Sequence, residues 1–240
     1  MGYAGFDSGV AWVRPACGWR SGAGRWCVVG RGGSAAGGGG GAAGRGVVAG
    51  AGVDGVAAWP ERFIGFLSVP LGLEPEEVAA TVEREVVGRG LRGIGELTPP
   101  PGRAEVIEPV LRAAADHGGL PVVVHGFAPT TADDLVTLSA LAGRYPAVPL
   151  VVSQLGGLNW MRAVELVRDT PNMYLELSTA NIVFAVRLAI KEIPDRTLFG
   201  SDAPYGDPAL TRAMVERVTS PGEIRDRVLG GTAAELIGLA

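Results

Sequence analysis

Residues 197–208 read Thr-Leu-Phe-Gly-Ser-Asp-Ala-Pro-Tyr-Gly-Asp-Pro. A short apolar run of this kind predicts a buried strand that breaks at Gly200, delivers one carboxylate at Asp202 and stops at prolines, which cannot extend a strand ladder. Where helices wrap parallel strands, catalytic groups lie at the carboxyl ends of the strands. Asp202 is therefore a candidate catalytic residue. A turn or a helix cap is the alternative role for an aspartate that precedes proline and glycine.

Five further apolar segments precede this one, and each is followed by a helical pattern. The strands are predicted at Ile64–Val69, Gly93–Leu97, Pro121–His125, Leu150–Gln154, Met173–Ser178 and Thr197–Asp202. The helices are predicted at Glu74–Arg89, Glu105–His117, Asp133–Tyr145, Trp160–Arg168 and Ile182–Glu192, with two or three short helices over Pro208–Leu239. This regular alternation predicts a parallel sheet with crossover helices.

The predicted fold class is α/β, of the (β/α)8 barrel type. Continuous apolar strands such as Val122–Val124 indicate burial on both faces. Because only six units are recognised, we expect the first one or two strands to be missing or replaced, with Ala51–Val56 as a remnant of the second. If so, Ile64–Val69 and Thr197–Asp202 are unpaired edges, which favour aggregation. An open doubly wound sheet is disfavoured because no Gly-x-Gly-x-x-Gly segment joins a strand to a helix.

The first part of the chain differs in composition from the rest. Residues 1–60 contain no Leu, Ile, Glu, Lys or His, and Gly37–Gly41 is an unbroken glycine run. Such a segment buries too little apolar surface to offset its ordering entropy. We therefore divide the chain into a low-complexity segment, 1–58, and a barrel domain, 59–240. Segment 1–58 is either a natural flexible arm or the product of a misread start or shifted reading frame in GC-rich DNA, and we favour the second.

Bulk composition limits the classes of partner. The formal net charge is −4, so the composition lacks the excess of positive charge that is typical of nucleic-acid-binding proteins. No apolar run approaches the roughly 18 residues of a membrane span, and no signal peptide is recognisable, so we expect a cytoplasmic protein without membrane contacts. Cys17 and Cys27 are expected to be free thiols. A small-molecule substrate is the expected partner, and assembly into a homo-oligomer is left open.

Polar residues stand at successive strand ends and are the candidate site. They are Glu96, His125, Gln154, Glu176, Ser178 and Asp202. In a barrel these ends share one mouth. His125 is either a neutral metal ligand or base, or a core histidine bonded to a backbone carbonyl. Glu96 is either a site carboxylate or part of a rim salt bridge with Arg92, and the direction of Glu176 is left open.

Several of these segments occur together in one known group of proteins. They are 59–66, 121–125, 153–157, 174–178, 199–204 and 230–236. In this order they resemble the amidohydrolase superfamily, in its amidohydrolase-related group of metal-dependent hydrolases, decarboxylases and hydratases. The resemblance covers residues 59–239.

The resemblance implies a distorted (β/α)8 barrel in which a divalent metal, expected to be zinc, activates water or polarises a substrate. It implies that His125 is the metal ligand of the fifth strand. Asp202 would be the carboxylate of the eighth strand, which binds the metal and takes a proton from bound water. Glu96 is the candidate third ligand. Gln154 and Ser178 are the candidate substrate-binding residues.

The chain departs from the pattern of that group in two places. No histidine precedes His117, so the His-x-His pair of the first strand is missing. Gln154 stands where Ser-His-Leu-Gly-Gly has its histidine, and a carboxamide cannot transfer a proton. The favoured hypothesis from the resemblance is nevertheless a metal-dependent hydrolase or carbon–carbon lyase that acts on a small organic substrate, with activity impaired if the His-x-His pair is truly absent. The alternatives are a catalytically inactive barrel that acts at most as a binding module, and a metal-free acid–base catalyst that uses Asp202 and His125.

Overall fold

The computed structural model describes residues 11–12, 26–30, 63–203 and 205–239. Within them, one sheet contains eight strands that pair in chain order. The strands are β1 (Ala11–Trp12), β2 (Trp26–Gly30), β3 (Phe63–Leu67), β4 (Gly93–Leu97), β5 (Val122–Val124), β6 (Leu150–Val152), β7 (Met173–Glu176) and β8 (Thr197–Leu198). Strands β2 to β8 are parallel, and β1 is antiparallel to β2.

The order of the strands confirms the predicted barrel type. A doubly wound sheet reverses its strand order at a switch point, whereas this sheet runs from β1 to β8 without a reversal. Because parallel crossovers are right-handed, this order places the connecting helices on one face of the sheet. In place of a first parallel strand, the described sheet has the two-residue β1.

The expectation that Ile64–Val69 forms an unpaired edge is wrong. Strand β3 pairs along all five of its residues with β2, from Trp26 opposite Phe63 to Gly30 opposite Leu67. The pairing partner was not foreseen because β2 is a short run, Trp26–Gly30, within a Gly-rich segment that the sequence assigned to low-complexity chain. The suggested strand at Ala51–Val56 lies outside the described residues, as does most of segment 1–58.

Helices alternate with the parallel strands from β3 onward. They are α1 (Pro75–Thr81), α2 (Glu108–Asp116), α3 (Ala132–Arg144), α4 (Trp160–Asp169), α5 (Val183–Glu192), α6 (Pro208–Val218), α7 (Glu223–Asp226) and α8 (Thr232–Leu236). Shorter helical turns are found at Val82–Val87, Ala104–Ile107, Gln154–Asn159, Pro194–Arg196 and Arg227–Gly231. In the described part of the chain, no helix combines the length and apolar character that a membrane crossing requires.

Apolar side chains form two clusters, one on each face of the sheet. Along β5, Val122 and Val124 belong to the larger cluster, which includes the helices, whereas Val123 belongs to the smaller one. The smaller cluster also contains Phe66, Val151 and Leu198, and the end of the chain packs on it through Ile237. This alternation is the two-sided burial that the apolar strands predict.

One buried carboxylate joins the start of α3 to the loop after β4. Asp134 accepts hydrogen bonds from the backbone N–H groups of Gly102 (2.9 Å), Ala104 (3.1 Å) and Thr131 (2.9 Å). Burial alone would raise the pKa of Asp134, but N–H donation from Gly102 and Thr131 outweighs it and lowers the pKa below its ordinary value. Asp134 thus fixes the loop that leads from β4 into α2.

We expect Asp134→Ala to lower the free energy of unfolding by about 3 kcal/mol, because it leaves buried N–H donors without acceptors. Urea unfolding measures this loss. Asp133→Ala is the matched control, because Asp133 is exposed and precedes Asp134 in the same helical turn. A loss no larger than that of the control would show that Asp134 does not hold the loop.

Candidate active site

The candidate residues lie at the carboxyl edge of the sheet, most of them just beyond the strands. Strands β5, β6, β7 and β8 end at Val124, Val152, Glu176 and Leu198, respectively. His125, Gln154, Ser178 and Asp202 therefore belong to the turns that follow. The parallel register keeps these ends together, with Val124 opposite Val152 and Val152 opposite Leu175.

Glu96 has a buried carboxylate that faces the interior and not the rim. Its side chain lies at the end of β4 and the residue is 1% exposed. The Ser153 hydroxyl donates to Glu96 Oε1 at 2.5 Å, and His125 Nδ1 lies 3.4 Å from the same oxygen. The alternative of a rim salt bridge with Arg92 is therefore wrong, because the carboxylate points into the protein toward β5 and β6.

His125 is buried between two oxygen atoms. Its Nε2 lies 3.2 Å from the carbonyl oxygen of Ala128. Its Nδ1 faces Glu96 Oε1 and makes no hydrogen bond within the described residues. The backbone N–H of His125 continues the β4–β5 ladder by donating to the Leu97 carbonyl at 2.9 Å. The ring thus combines a core-like backbone carbonyl contact with a carboxylate contact.

Gln154 links the end of β6 to the end of β5. Its Oε1 accepts from the backbone N–H groups of Gly126 (3.2 Å) and Phe127 (3.1 Å). Gln154 is 2% exposed and has a φ of 55°, in the left-handed region. The turn that starts there continues through Leu155, with a φ of 54°.

Glu176 is the buried carboxylate whose direction the sequence left open. Its oxygens accept from the Gln154 backbone N–H (2.9 Å), the Ser178 backbone N–H (2.7 Å) and the Ser178 hydroxyl (2.7 Å). Burial, and then the negative charge of Asp202, raise the pKa of Glu176 to about 7, although these hydrogen bonds act in the opposite direction. Near neutral pH this carboxyl therefore exists in both protonation states.

Gly200 provides the space that Glu176 occupies. A Cβ atom built on Gly200 would lie 1.6 Å from Glu176 Oε1, far inside van der Waals contact. The chain beyond β8 therefore runs directly over the Glu176 carboxylate only because residue 200 has no side chain. Two residues later, the Asp202 carbonyl accepts from the backbone N–H groups of Tyr205 (2.8 Å) and Gly206 (2.9 Å), which turns the chain away from the sheet.

Asp202 lies in a turn with a buried carboxylate, whereas the Ser178 hydroxyl is hydrogen-bonded to Glu176. Asp202 is 4% exposed and has a φ of 53°. It combines a buried carboxylate with the turn role that the sequence offered as its alternative. Ser178 is fully buried, and its hydroxyl already donates to Glu176. A contact between Ser178 and a substrate stays a prediction.

The donors supplied by the described residues do not complete a metal site. Catalytic metals usually have three protein ligands, and the structure brings Glu96 and His125 together. Within residues 63–203 and 205–239, however, no three His, Cys, Asp or Glu side chains are grouped so that they could hold a metal ion. The predicted ligand set of His125, Asp202 and Glu96 stays a prediction.

The parallel strands in chain order, with buried polar residues at their carboxyl ends, define an α/β barrel of the TIM type. The family model described as amidohydrolase matches residues 34–239. The chain therefore belongs to the amidohydrolase family, as its sequence resemblance predicts. Among curated proteins, no sequence matches this chain.

Solved structures with the same fold include two decarboxylases. The 2,6-dihydroxybenzoate decarboxylase from Rhizobium is 16% identical, with a TM-score of 0.64 over 78% of this chain and 75% of that chain. A dihydroxybenzoic acid decarboxylase from Polaromonas sp. JS666, with bound manganese and the inhibitor 2-nitroresorcinol, is 20% identical, with a TM-score of 0.57 over 78% and 72%. A TIM-barrel protein from Bordetella bronchiseptica is 19% identical, with a TM-score of 0.63 over 78% and 71%. At these identities the similarity shows the fold.

We expect Gly200→Ala to destabilise the protein by about 3 kcal/mol, because the added methyl group must displace the Glu176 carboxylate or the chain beyond β8. Chemical unfolding of the purified variant measures this cost. Gly143→Ala is the matched control, because a Cβ at Gly143 meets no atom within 4 Å and alanine favours helix α3. Equal stability of the two variants would contradict the close approach.

We also expect a pH dependence of stability that originates at Glu176. Its pKa is about 7 in the folded protein and 4.5 as the ordinary value, so the folded state binds the proton more tightly. The stabilisation is complete below the ordinary pKa and is lost as the pH rises through the folded one, by about 3 kcal/mol in all.

Urea unfolding of the wild type and of Glu176→Gln between pH 4.5 and 8 tests this dependence. The variant has no carboxyl group at this position, so its stability should decline less over the range. Parallel pH profiles for the two proteins would show that another group carries the effect.

Proposed function

We propose that this chain is a metal-dependent hydrolase or carbon–carbon lyase that acts on a small organic substrate at the carboxyl edge of β4 to β8. The observation that carries the proposal is the convergence of buried polar residues there, in a chain whose residues 34–239 match the amidohydrolase model. Shifted carboxyl pKa values are typical of functional sites.

Asp202 is the proposed catalytic residue. It follows β8, is buried, and lies close enough to Glu176 for its charge to raise the pKa of that carboxyl. A carboxylate in this position suits the transfer of a proton to or from a bound substrate. Glu96 and His125 form a carboxylate–imidazole pair at the ends of β4 and β5. The Ser153 hydroxyl donates a hydrogen bond to the Glu96 carboxylate of this pair. Gln154, between them and Glu176, is the proposed substrate contact.

A divalent metal is the proposed cofactor, since a decarboxylase with the same fold binds manganese. Zinc, the expectation from the sequence, stays a prediction. The described residues supply an incomplete set of donors, so metal content and the metal dependence of turnover test this requirement.

A second candidate function is a catalytically inactive barrel that binds a small molecule. Two observations favour it: the donor set of the described residues is incomplete, and the Gln154 oxygen is already used by the Gly126 and Phe127 backbone. This function requires binding at the same strand ends but no turnover and no stoichiometric metal.

Turnover of 2,6-dihydroxybenzoate, followed as CO2 release with added Mn²⁺ or Zn²⁺, distinguishes the two functions. We expect turnover in the wild type, a loss of about 10³-fold in Asp202→Asn, and about one bound metal ion per chain by elemental analysis. Asp133→Asn, at an exposed carboxylate, is the matched control. Wild-type binding of the acid without turnover in either metal would favour the inactive barrel, and full activity in Asp202→Asn would remove Asp202 from the chemistry.

A further inference from the structure

His117 is the histidine that the candidate site does not use, and both of its ring nitrogens face an oxygen atom. Nδ1 lies 2.8 Å from the Ala113 carbonyl oxygen, and Nε2 lies 2.6 Å from Glu83 Oε2. A neutral imidazole carries a single N–H, so one of its nitrogens would present a lone pair to an acceptor. The imidazolium carries two N–H groups and can donate to both oxygens. The contacts therefore select the protonated ring.

The position of His117 in the fold favours the same charge state. It directly follows the last residue of α2, where the helix dipole stabilises a positive charge. The charged groups that act most strongly on the ring are both acidic: Glu83, from the segment after α1, and Asp116, from α2 itself. Hydrogen bonding to Ala113 and then to Glu83 raises the pKa of His117 above its ordinary value of 6.5, against the smaller effect of partial burial.

The contact joins two separate crossover segments. Glu83 belongs to the Val82–Val87 turn, which follows α1 and in which the Gly88 N–H donates to the Glu83 carbonyl at 2.8 Å. A hydrogen bond between residues five apart is rare in helices and is found frequently at functional sites. Val82 and Val86 anchor one side of this turn in the core. The Glu83 side chain links the same turn to the end of α2.

Both partners of the contact are open to solvent. The His117 side chain is 20% exposed and the Glu83 side chain is 67% exposed. The ring can therefore exchange protons with bulk water without unfolding of the surrounding helices. The fully buried Glu176 differs from it in this respect. A change in external pH thus acts directly on the link between the two segments.

We propose that His117 and Glu83 form a pH-dependent clamp between the Val82–Val87 turn and the end of α2. The clamp is closed while the ring is protonated at both nitrogens. As the ring loses a proton, one of its two contacts is lost and the turn is held less tightly. Because the folded state binds the proton more tightly, the stabilisation is complete below the ordinary pKa of 6.5 and is lost as the pH rises through the higher folded pKa.

NMR titration of the imidazole Cε1–H signals in the full chain tests the clamp. The chain has two histidines, and His117→Gln identifies the His117 signal by its loss. We expect the titration midpoint of His117 to lie above 6.5 in the wild type. It should fall in Glu83→Gln, which removes the charge and keeps the size of the side chain.

Glu76→Gln is the matched control, because Glu76 is an exposed glutamate of α1. It should leave the midpoint of His117 unchanged. A wild-type midpoint at or below 6.5 would overturn the clamp without the need for any variant. Equal midpoints in the wild type and Glu83→Gln would overturn it as well.

Hydrogen exchange of the backbone amides at 82–91 measures the consequence for the fold. We expect their protection, corrected for the intrinsic exchange rate, to fall by about 5-fold as the wild-type ring becomes neutral. In Glu83→Gln the protection should vary less over the same range. That variant retains Glu176, so the difference between the two proteins isolates the clamp from the pH dependence at the candidate site. Parallel protection profiles in the two proteins would show that the contact does not hold the turn.

Discussion

The buried Glu176 carboxylate connects the three strand ends on which the candidate site depends. Its oxygens accept from the backbone of Gln154 after β6 and of Ser178 after β7, and Gly200 after β8 lies against it. Each of these contacts is made by backbone, so the carboxylate fixes the path of the chain and not only a side-chain rotamer. These contacts fix the backbone positions of Gln154 and of the segment that leads to Asp202.

A second carboxylate plays a comparable part on the other side of the site. Glu96 receives the Ser153 hydroxyl and faces His125, so it joins β4, β5 and β6 as Glu176 joins β6, β7 and β8. Ser153 belongs to the Glu96 group and Gln154 to the Glu176 group, and the Ser153 hydroxyl lies 3.2 Å from Gln154 Oε1. The site is therefore a continuous polar layer above the apolar side chains of the sheet, such as Val123 and Val151. In such a layer, the loss of one acceptor leaves buried donors of neighbouring residues without a hydrogen-bond partner.

The sequence predicted the local features of this molecule better than the contacts between distant segments. Strands β3 to β8 and their helices follow from apolar periodicity, and the convergence of polar residues follows from parallel strands. Strand β2 was missed because its five residues lie in a Gly-rich segment and gain stability from pairing with β3. The direction of Glu176 was undecidable because both faces of β7 are buried and because its space depends on a missing side chain 24 residues away, at Gly200. The orientation of Gln154 depends likewise on backbone groups of a neighbouring strand end.

Left-handed backbone at residues with side chains marks the turns after β6, β7 and β8. Gln154, Leu155, Thr179 and Asp202 have φ values between 53° and 55°, in a region where a residue with a Cβ is less stable than glycine by about 1 kcal/mol or more. An engineer who sought a more thermostable scaffold would be drawn to glycine at all four positions. At Gln154 and Asp202 that gain would remove the polar groups of the candidate site, and at Leu155 it would remove a buried core side chain at a cost larger than the gain. Thr179, which is exposed, is the position where the substitution improves stability without either loss.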